Sequence, residues 1–396
     1  RRGYPLMASG KAPRSVSILG ATGSVGLSTI DLLRRNRDQF RVEALTAHRN
    51  TAGLAGLARE FGARFVAVGD ADCYDDLKKE LSGSGITVAA GPEALTEAAA
   101  RPADWVMSAI TGAAGLAPTL SAIERGAMVA LANKEALVCA GAIVMAACRR
   151  TGSILLPVDS EHNAIHQVFD FDHPERVERL ILTASGGPFR SRSMQDMAAA
   201  TPEQALAHPN WSMGTKISID SATMMNKGLE LIEASHLFPV PEARIEIVVH
   251  PESVIHSMVG YIDGSVLAQL GSPDMRTPIA YTLAWPERMA GPSAKLDFVQ
   301  LGSLSFEAPD EKRFSALRVS RDALREGRAA PTVLNAANEV AVRGFLDRRI
   351  GFLDIVAIVE ETLERLVGRT AQSLEEVHAV DKEARRTAES LMMAAA

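Results

Sequence analysis

Ser15-Val-Ser-Ile-Leu-Gly20-Ala-Thr-Gly23-Ser-Val-Gly26 is the stretch that decides the fold. The run 15–19 is apolar and β-rich, three glycines then interrupt it, and Val25 to Arg35 carries helical spacing. A glycine turn between strand and helix lets the backbone approach a pyrophosphate, whose charge then sits on the helix N-terminus. An ordinary strand–helix connection can also hold glycines. Here the turn joins the first strand to the first helix, where a dinucleotide site belongs.

Reading outward, strand-like runs recur at Val42–Thr46, Phe65–Val68, Ile86–Ala89, Trp105–Ile110, Met128–Leu131 and Ile154–Val158. Helical stretches such as Leu116–Arg125 and Ala136–Arg150 lie between them. This alternation predicts an α/β, Rossmann-like, doubly wound parallel sheet over 15–158. Beyond it the spacing loosens. Strands are expected at Arg179–Thr183, Ile217–Asp220, Ile245–His250 and Met258–Ile262, with a hairpin turn at Asp263-Gly264. That predicts a central α+β domain over 159–285. A Pro/Gly-rich linker at 286–310 and a C-terminal helical bundle over 311–396 follow.

The second strand bears on the nucleotide. An NAD site usually ends that strand with an acid for the ribose hydroxyls. Here His48-Arg49-Asn50 stands instead, and Arg49 suits a 2′-phosphate, so NADP is expected. Asn133-Lys134-Glu135 follows the strand Met128–Leu131 at the sheet edge where ligands bind. Asn133 also reads as a helix cap, whereas Lys134 points to substrate or nicotinamide.

Asp159-Ser160-Glu161 closes the apolar run 153–158. Read as a strand end, it projects both carboxylates to one side, where they repel unless a cation compensates. Further on, Asp220-Ser221 reads as the N-cap of a helix over Ala222–His236. On it Asn226, Lys227 and Glu230 share a face, and Glu230 would complete a three-carboxylate site. All-oxygen ligation favours Mg²⁺ or Mn²⁺, with Co²⁺ a third candidate. Lys227 and Glu230 read equally well as an exposed ion pair. Ser185-Gly186-Gly187-Pro188 offers an anion nest. His208-Pro-Asn-Trp211-Ser-Met213-Gly214 has the make-up of a lid, although Trp211 packing on its own domain explains it as simply.

Composition excludes other classes. With 47% hydrophobic and 23% charged residues and a net charge of −6, the chain lacks the basic face nucleic acid needs. The apolar run 136–147 is too short for a membrane span and reads as a buried helix. Cys73, Cys139 and Cys148 form no metal or disulfide pattern, which fits a reducing cytoplasm. No apolar signal segment follows Arg-Arg-Gly-Tyr-Pro-Leu, so residues 1–14 are expected to be a disordered arm or remnant, with Met7 a native start.

Several motifs together resemble one family. Gly-Ala-Thr-Gly-Ser-Val-Gly (20–26), Asn-Lys-Glu (133–135), Leu-Leu-Pro-Val-Asp-Ser-Glu-His-Asn-Ala-Ile (155–165), Ser-Gly-Gly-Pro-Phe (185–189), His-Pro-Asn-Trp-Ser-Met-Gly (208–214) and Asp-Ser-Ala-Thr-Met-Met-Asn-Lys-Gly-Leu-Glu (220–230) stand in order. From Ser15 onward the chain resembles the 1-deoxy-D-xylulose 5-phosphate reductoisomerases of non-mevalonate isoprenoid biosynthesis. The resemblance implies that Asp159, Glu161 and Glu230 bind a divalent metal. It implies that Lys134, Ser160, Ser185, His208, Trp211, Ser221, Asn226 and Lys227 serve the sugar-phosphate substrate, together with Glu161 and Glu230. Thr22, Gly23, Ser24, Val25, His48, Arg49, Asn50, Asn133, Glu135 and Gly214 would line the NADPH site. Lys134, Asp159, Glu161 and Glu230 would be catalytic, and the chain a homodimer. Two rivals remain: a semialdehyde-dehydrogenase-type NADP reductase, which needs a cysteine nucleophile, and a non-catalytic NADP-binding regulator, which needs no carboxylate triad.

Overall fold

The computed structural model describes residues 12–211 and 213–395; residues 1–11, most of the expected arm, and Ser212 of the expected lid lie outside them. Two compact units interleave along the chain. One takes in residues up to Ala136, Val144–Asn163 and Asp274–Ala294; the other takes in Leu137–Ile143, Ala164–Pro273 and Lys295–Ala396.

All seven strands expected over the first unit are present: β1 (Arg14–Leu19), β2 (Phe40–Ala47), β3 (Phe65–Val68), β4 (Thr87–Ala90), β5 (Trp105–Ser108), β6 (Met128–Leu131) and β7 (Ile154–Pro157). They form one parallel sheet in the order β4-β3-β2-β1-β5-β6-β7. The order reverses between β1 and β5, so the Gly20–Gly26 turn leaves the sheet at its topological switch point. Central strands are buried on both faces, as Val16, Ile18, Val66 and Val106 show at 0% exposure. Ile279 and Leu283 of the returning helix Arg276–Ala284 belong to this core. The Trp105 indole donates to the Thr282 carbonyl at 3.1 Å and the Arg14 guanidinium to that of Leu283 at 2.6 Å.

The second unit holds a mixed sheet built from β8 (Val177–Ala184), β9 (Ile245–Val249), β10 (Ile255–Tyr261) and β11 (Val266–Leu270), ordered β11-β10-β8-β9. The expected hairpin joins β10 to β11: Gly264 takes φ +87°, and Asp263 Oδ1 accepts from the Ser265 amide at 2.9 Å. From 311 onward the described residues hold no strand, and helices run over Ala316–Glu326, Ala330–Leu346, Asp354–Arg365 and Leu374–Ala395.

Two local expectations are corrected. Residues 217–220 are not a strand; they lie in the helix Thr215–Ala222, which packs on its neighbour Pro202–Leu206. Four apolar-alternating residues cannot separate strand from helix, and helical neighbours settle it. Asp159 and Glu161 are likewise not on a strand, because β7 stops at Pro157 and a helix runs over Ser160–Val168. Asp159 caps that helix, its Oδ1 accepting from the Glu161 amide at 3.3 Å. The two carboxylates stay close, but through a cap and a first helical turn.

Candidate active site

In the first unit the glycine turn is shaped by steric necessity. Gly20 has φ +88°, and a Cβ there would lie 2.7 Å from the Ala109 carbonyl oxygen. A Cβ on Gly26 would lie 2.2 Å from the Gly20 oxygen. The helix Ser24–Arg35 begins at Gly23 without a side-chain cap, an arrangement in which an anion can satisfy its first N–H groups. Thr22 and Val25 are half-buried there, and Gly23 and Ser24 are exposed.

His48, Arg49 and Asn50 are exposed at the end of β2. Asn50 caps the next helix, accepting from the Gly53 amide at 3.0 Å. Arg49 sits 3.0 Å from Asp70, with 66% of its side chain exposed. Such a pair is worth about 0–1 kcal/mol, little enough for a phosphate to displace it.

Asn133, Lys134 and Glu135 are all buried after β6. The expected cap role for Asn133 does not hold: its amide donates to the Gly112 carbonyl at 3.3 Å, and the following helix has no side-chain cap. Lys134 Nζ donates to Asp159 Oδ2 at 2.7 Å, and Ser160 Oγ donates to Glu161 Oε2 at 2.6 Å. Lys134 thus faces Asp159, and the all-oxygen donor set of Asp159 and Glu161 fits Mg²⁺ or Mn²⁺. His162, fully buried 3.7 Å from Asp159 through Nδ1, is a neighbour that the sequence reading missed; its i,i+3 spacing from Asp159 was the available signal.

In the second unit the loop after β8 and the expected lid meet. His208 Nδ1 accepts from the amides of Asn210 at 3.2 Å and Trp211 at 3.0 Å. Its proton therefore sits on Nε2 and is donated to Ser185 Oγ at 2.9 Å. Ser185 also accepts from the Gly187 amide at 3.2 Å, which leaves its own proton for a ligand oxygen. Burial lowers the His208 pKa from 6.5, in keeping with a neutral ring. Trp211 packs against His256 with ring centroids 5.9 Å apart, and Gly214 is exposed.

Gly187, at φ +66°, comes so close to Ser221 that a Cβ would lie 2.6 Å from the Ser221 carbonyl oxygen. Ser221 is not an N-cap, because the helix Thr215–Ala222 carries it and the next helix starts at Met225. Between them Met224 takes φ +64°, a left-handed conformation costing a non-glycine residue about 1–2 kcal/mol. The Thr223 hydroxyl supports the corner by accepting from the Met225 amide at 3.3 Å. Lys227 and Glu230 hydrogen-bond each other at 4% and 1% exposure, and Asn226 donates to Glu230. An exposed ion pair is thereby ruled out. A buried pair costs several kcal/mol in desolvation per ion and is weak evidence for stability, which favours a binding role.

Three sequence profiles match the chain: 1-deoxy-D-xylulose 5-phosphate reductoisomerase over 16–141, its C-terminal domain over 155–238, and DXP reductoisomerase C-terminal domain over 270–387. The Rhodospirillum centenum 1-deoxy-D-xylulose 5-phosphate reductoisomerase is 59% identical, covering 97% of this chain and 96% of that protein. The chain belongs to the 1-deoxy-D-xylulose 5-phosphate reductoisomerase family. A solved family member from Zymomonas mobilis, in complex with NADPH, superposes with a TM-score of 0.92 at 57% identity, covering 96% of this chain and 99% of that one. Another, in complex with NADPH, fosmidomycin and magnesium, gives 0.90 at 43% identity, covering 96% and 98%. The glycine turn, the Asp159–Glu161 cap and the Ser221–Glu230 corner are all built in this member of the family as described above.

Proposed function

We propose that Asp159, Glu161 and Glu230 hold the divalent metal of the family reaction and that the Ser185–Ser221–Lys227 surface holds the substrate's phosphate. The chain is an NADPH- and divalent-metal-dependent oxidoreductase of isoprenoid biosynthesis. It rearranges and reduces 1-deoxy-D-xylulose 5-phosphate to 2-C-methyl-D-erythritol 4-phosphate. The observation that supports the site assignment is the burial of Lys227 and Glu230 together, since each ion costs several kcal/mol to desolvate.

When bound, the metal supplies Lewis-acid polarisation of a ketone and its neighbouring hydroxyl. The chain's own residues do the rest. Lys134 offsets the charge of Asp159 and stands ready to donate to a substrate oxygen. Ser185, Ser221, Asn226, Lys227 and His208 bind phosphate and hydroxyls, and Ser160 orients the reacting end. Trp211 and Gly214 belong to a lid that excludes water over an aldehyde awaiting hydride. The uncapped amides after Gly23, with Thr22, Ser24, Val25, His48, Arg49, Asn50, Asn133 and Glu135, receive NADPH. In this assignment 15–158 serves NADPH, 159–285 the metal and substrate, 286–310 is a linker and 311–396 a C-terminal helical domain.

The partners are small molecules. Among the described residues no helix is long and apolar enough to cross a membrane. The reading further includes a cytoplasmic location, supported by three free cysteines. It also includes a homodimer, supported by the edge strand β11, which exposes Val266 at 46% and Leu267 at 48%. An NADPH-oxidation assay with 1-deoxy-D-xylulose 5-phosphate, with and without Mn²⁺, tests the reaction. Turnover that survives exhaustive chelation would sink the metal assignment. Light scattering at micromolar concentration tests the dimer.

A further inference from the structure

Asp220 opens one of the motifs read in the sequence, yet no step of the reaction uses it. Its carboxylate is 1% exposed, on the helix that ends one residue after Ser221. Two cations or donors hold it. Lys216 Nζ lies 3.0 Å from Oδ2, and the Asn338 amide donates to Oδ1 at 2.7 Å. Asn338 is 0% exposed, on the helix Ala330–Leu346. A carboxylate only accepts, so the Asn338 NH₂ must face it, and the Asn338 carbonyl is left buried without a hydrogen-bond partner. The amide is therefore oriented for Asp220 rather than for its own satisfaction.

The neighbourhood gives this clamp something to hold. Lys216 follows the lid residue Gly214 by two positions, and Asp220 precedes the strained Met224 corner by four. Thr332, Asn335 and Asn338, three residues apart, are all buried on one helix, with Thr332 Oγ1 donating to the Cys139 carbonyl at 3.0 Å. Ala140 there departs from helical geometry (φ −138°, ψ 27°). A helix this buried normally spends such positions on apolar contacts.

We propose that Asp220 is a positioning residue for substrate binding: with Asn338 and Lys216 it fixes the corner that presents Ser221, Asn226 and Lys227. The proposal rests on the reading that those three residues grip the substrate's phosphate end. The C-terminal helix Ala330–Leu346 thus acts on the substrate through Asp220 without touching it.

Steady-state kinetics of the full-length Asn338→Ala variant test this. Loss of one buried hydrogen bond to a charged acceptor is expected to raise the substrate KM about tenfold while the NADPH KM stays at the wild-type value. Lys216→Met removes the other partner of Asp220, at Oδ2, and is expected to raise the substrate KM in the same way, again with the NADPH KM at the wild-type value. A wild-type substrate KM in either variant, or an equal rise in both KM values, overturns the clamp. Ser221→Ala checks the underlying reading separately. A wild-type substrate KM there removes Ser221 from the site, whereas a raised one beside a wild-type Asn338→Ala removes only the clamp.

Discussion

Lys134 Nζ lies 2.7 Å from Asp159 Oδ2, both side chains being about nine-tenths buried. The contact joins the residue after β6 to the cap of the helix that follows β7, two neighbouring strand ends of one sheet. The ammonium neutralises one carboxylate in advance of any ligand. Lys134→Met is therefore expected to cut kcat by about a hundredfold or more, on the scale of losing a catalytic proton donor. Retention of most of the wild-type kcat would place Lys134 outside the chemistry.

Removing a metal ligand should be as costly as removing the metal. Asp159→Asn and Glu230→Gln are each expected to lower kcat by about a hundredfold or more, with circular dichroism unchanged. Wild-type rates in either variant would count against the carboxylate set. Chelator treatment followed by Mn²⁺ should abolish and then restore NADPH oxidation.

The glycine turn leaves no room for a methyl group. Gly26→Ala drives a Cβ to 2.2 Å from a backbone oxygen, so the turn must open. A loss of about 1–3 kcal/mol in stability and a sharp rise in the NADPH KM are expected, the first being the usual scale for overpacking. Gly23→Ala is the control for the stability loss alone, since its Cβ would meet nothing closer than 3.5 Å. Equal stability losses from the two would refute the steric reading.

His208 gives a pH signature whose sign follows from its environment. Burial lowers its folded pKa below the unfolded value of 6.5, so the unfolded chain binds the proton first. The contribution to stability is complete above pH 6.5 and is lost as pH falls through the lowered folded value. Protonation also ends the acceptance of the Asn210 and Trp211 amides by Nδ1. Denaturant unfolding of wild type and His208→Gln between pH 7.5 and about 4 should show a shallower acid loss in the variant. Parallel curves would exclude His208 as a titrating group in that range.

Cys139 and Cys148 are not poised for nucleophilic chemistry. Cys139 and Cys148 are buried in one helix, and burial pushes the Cys148 thiol up to about 11. A triple Cys→Ser variant should keep wild-type kcat. Complete loss of activity would revive a semialdehyde-dehydrogenase mechanism.

What could be read from the sequence was whatever depended on local spacing. The strand-glycine-helix start, the alternation to Pro157 and the Asp263-Gly264 hairpin all show in short windows. Residues 217–220 misled because four residues satisfy either period. Asp159 misled because an acid after a strand and an acid capping a helix look alike until the next turn forms. The left-handed Met224 carried no signal, since a glycine or asparagine is the usual mark of that conformation. The Asp220–Asn338 bond joins residues 118 positions apart, and no window reaches that far.

The parallel-sheet unit is completed by chain that returns to it late. Ile279 and Leu283 fill its core, and Arg276 ties Asp31 of the first helix at 2.9 Å. A gene fragment ending at residue 158 would therefore encode the whole parallel sheet and still lack part of its interior. Expressed alone, it should expose apolar surface and aggregate, while appending 274–294 through a flexible linker should rescue it. A nascent chain leaving the ribosome faces the same shortfall: its first-made sheet waits for more than a hundred further residues before it can close.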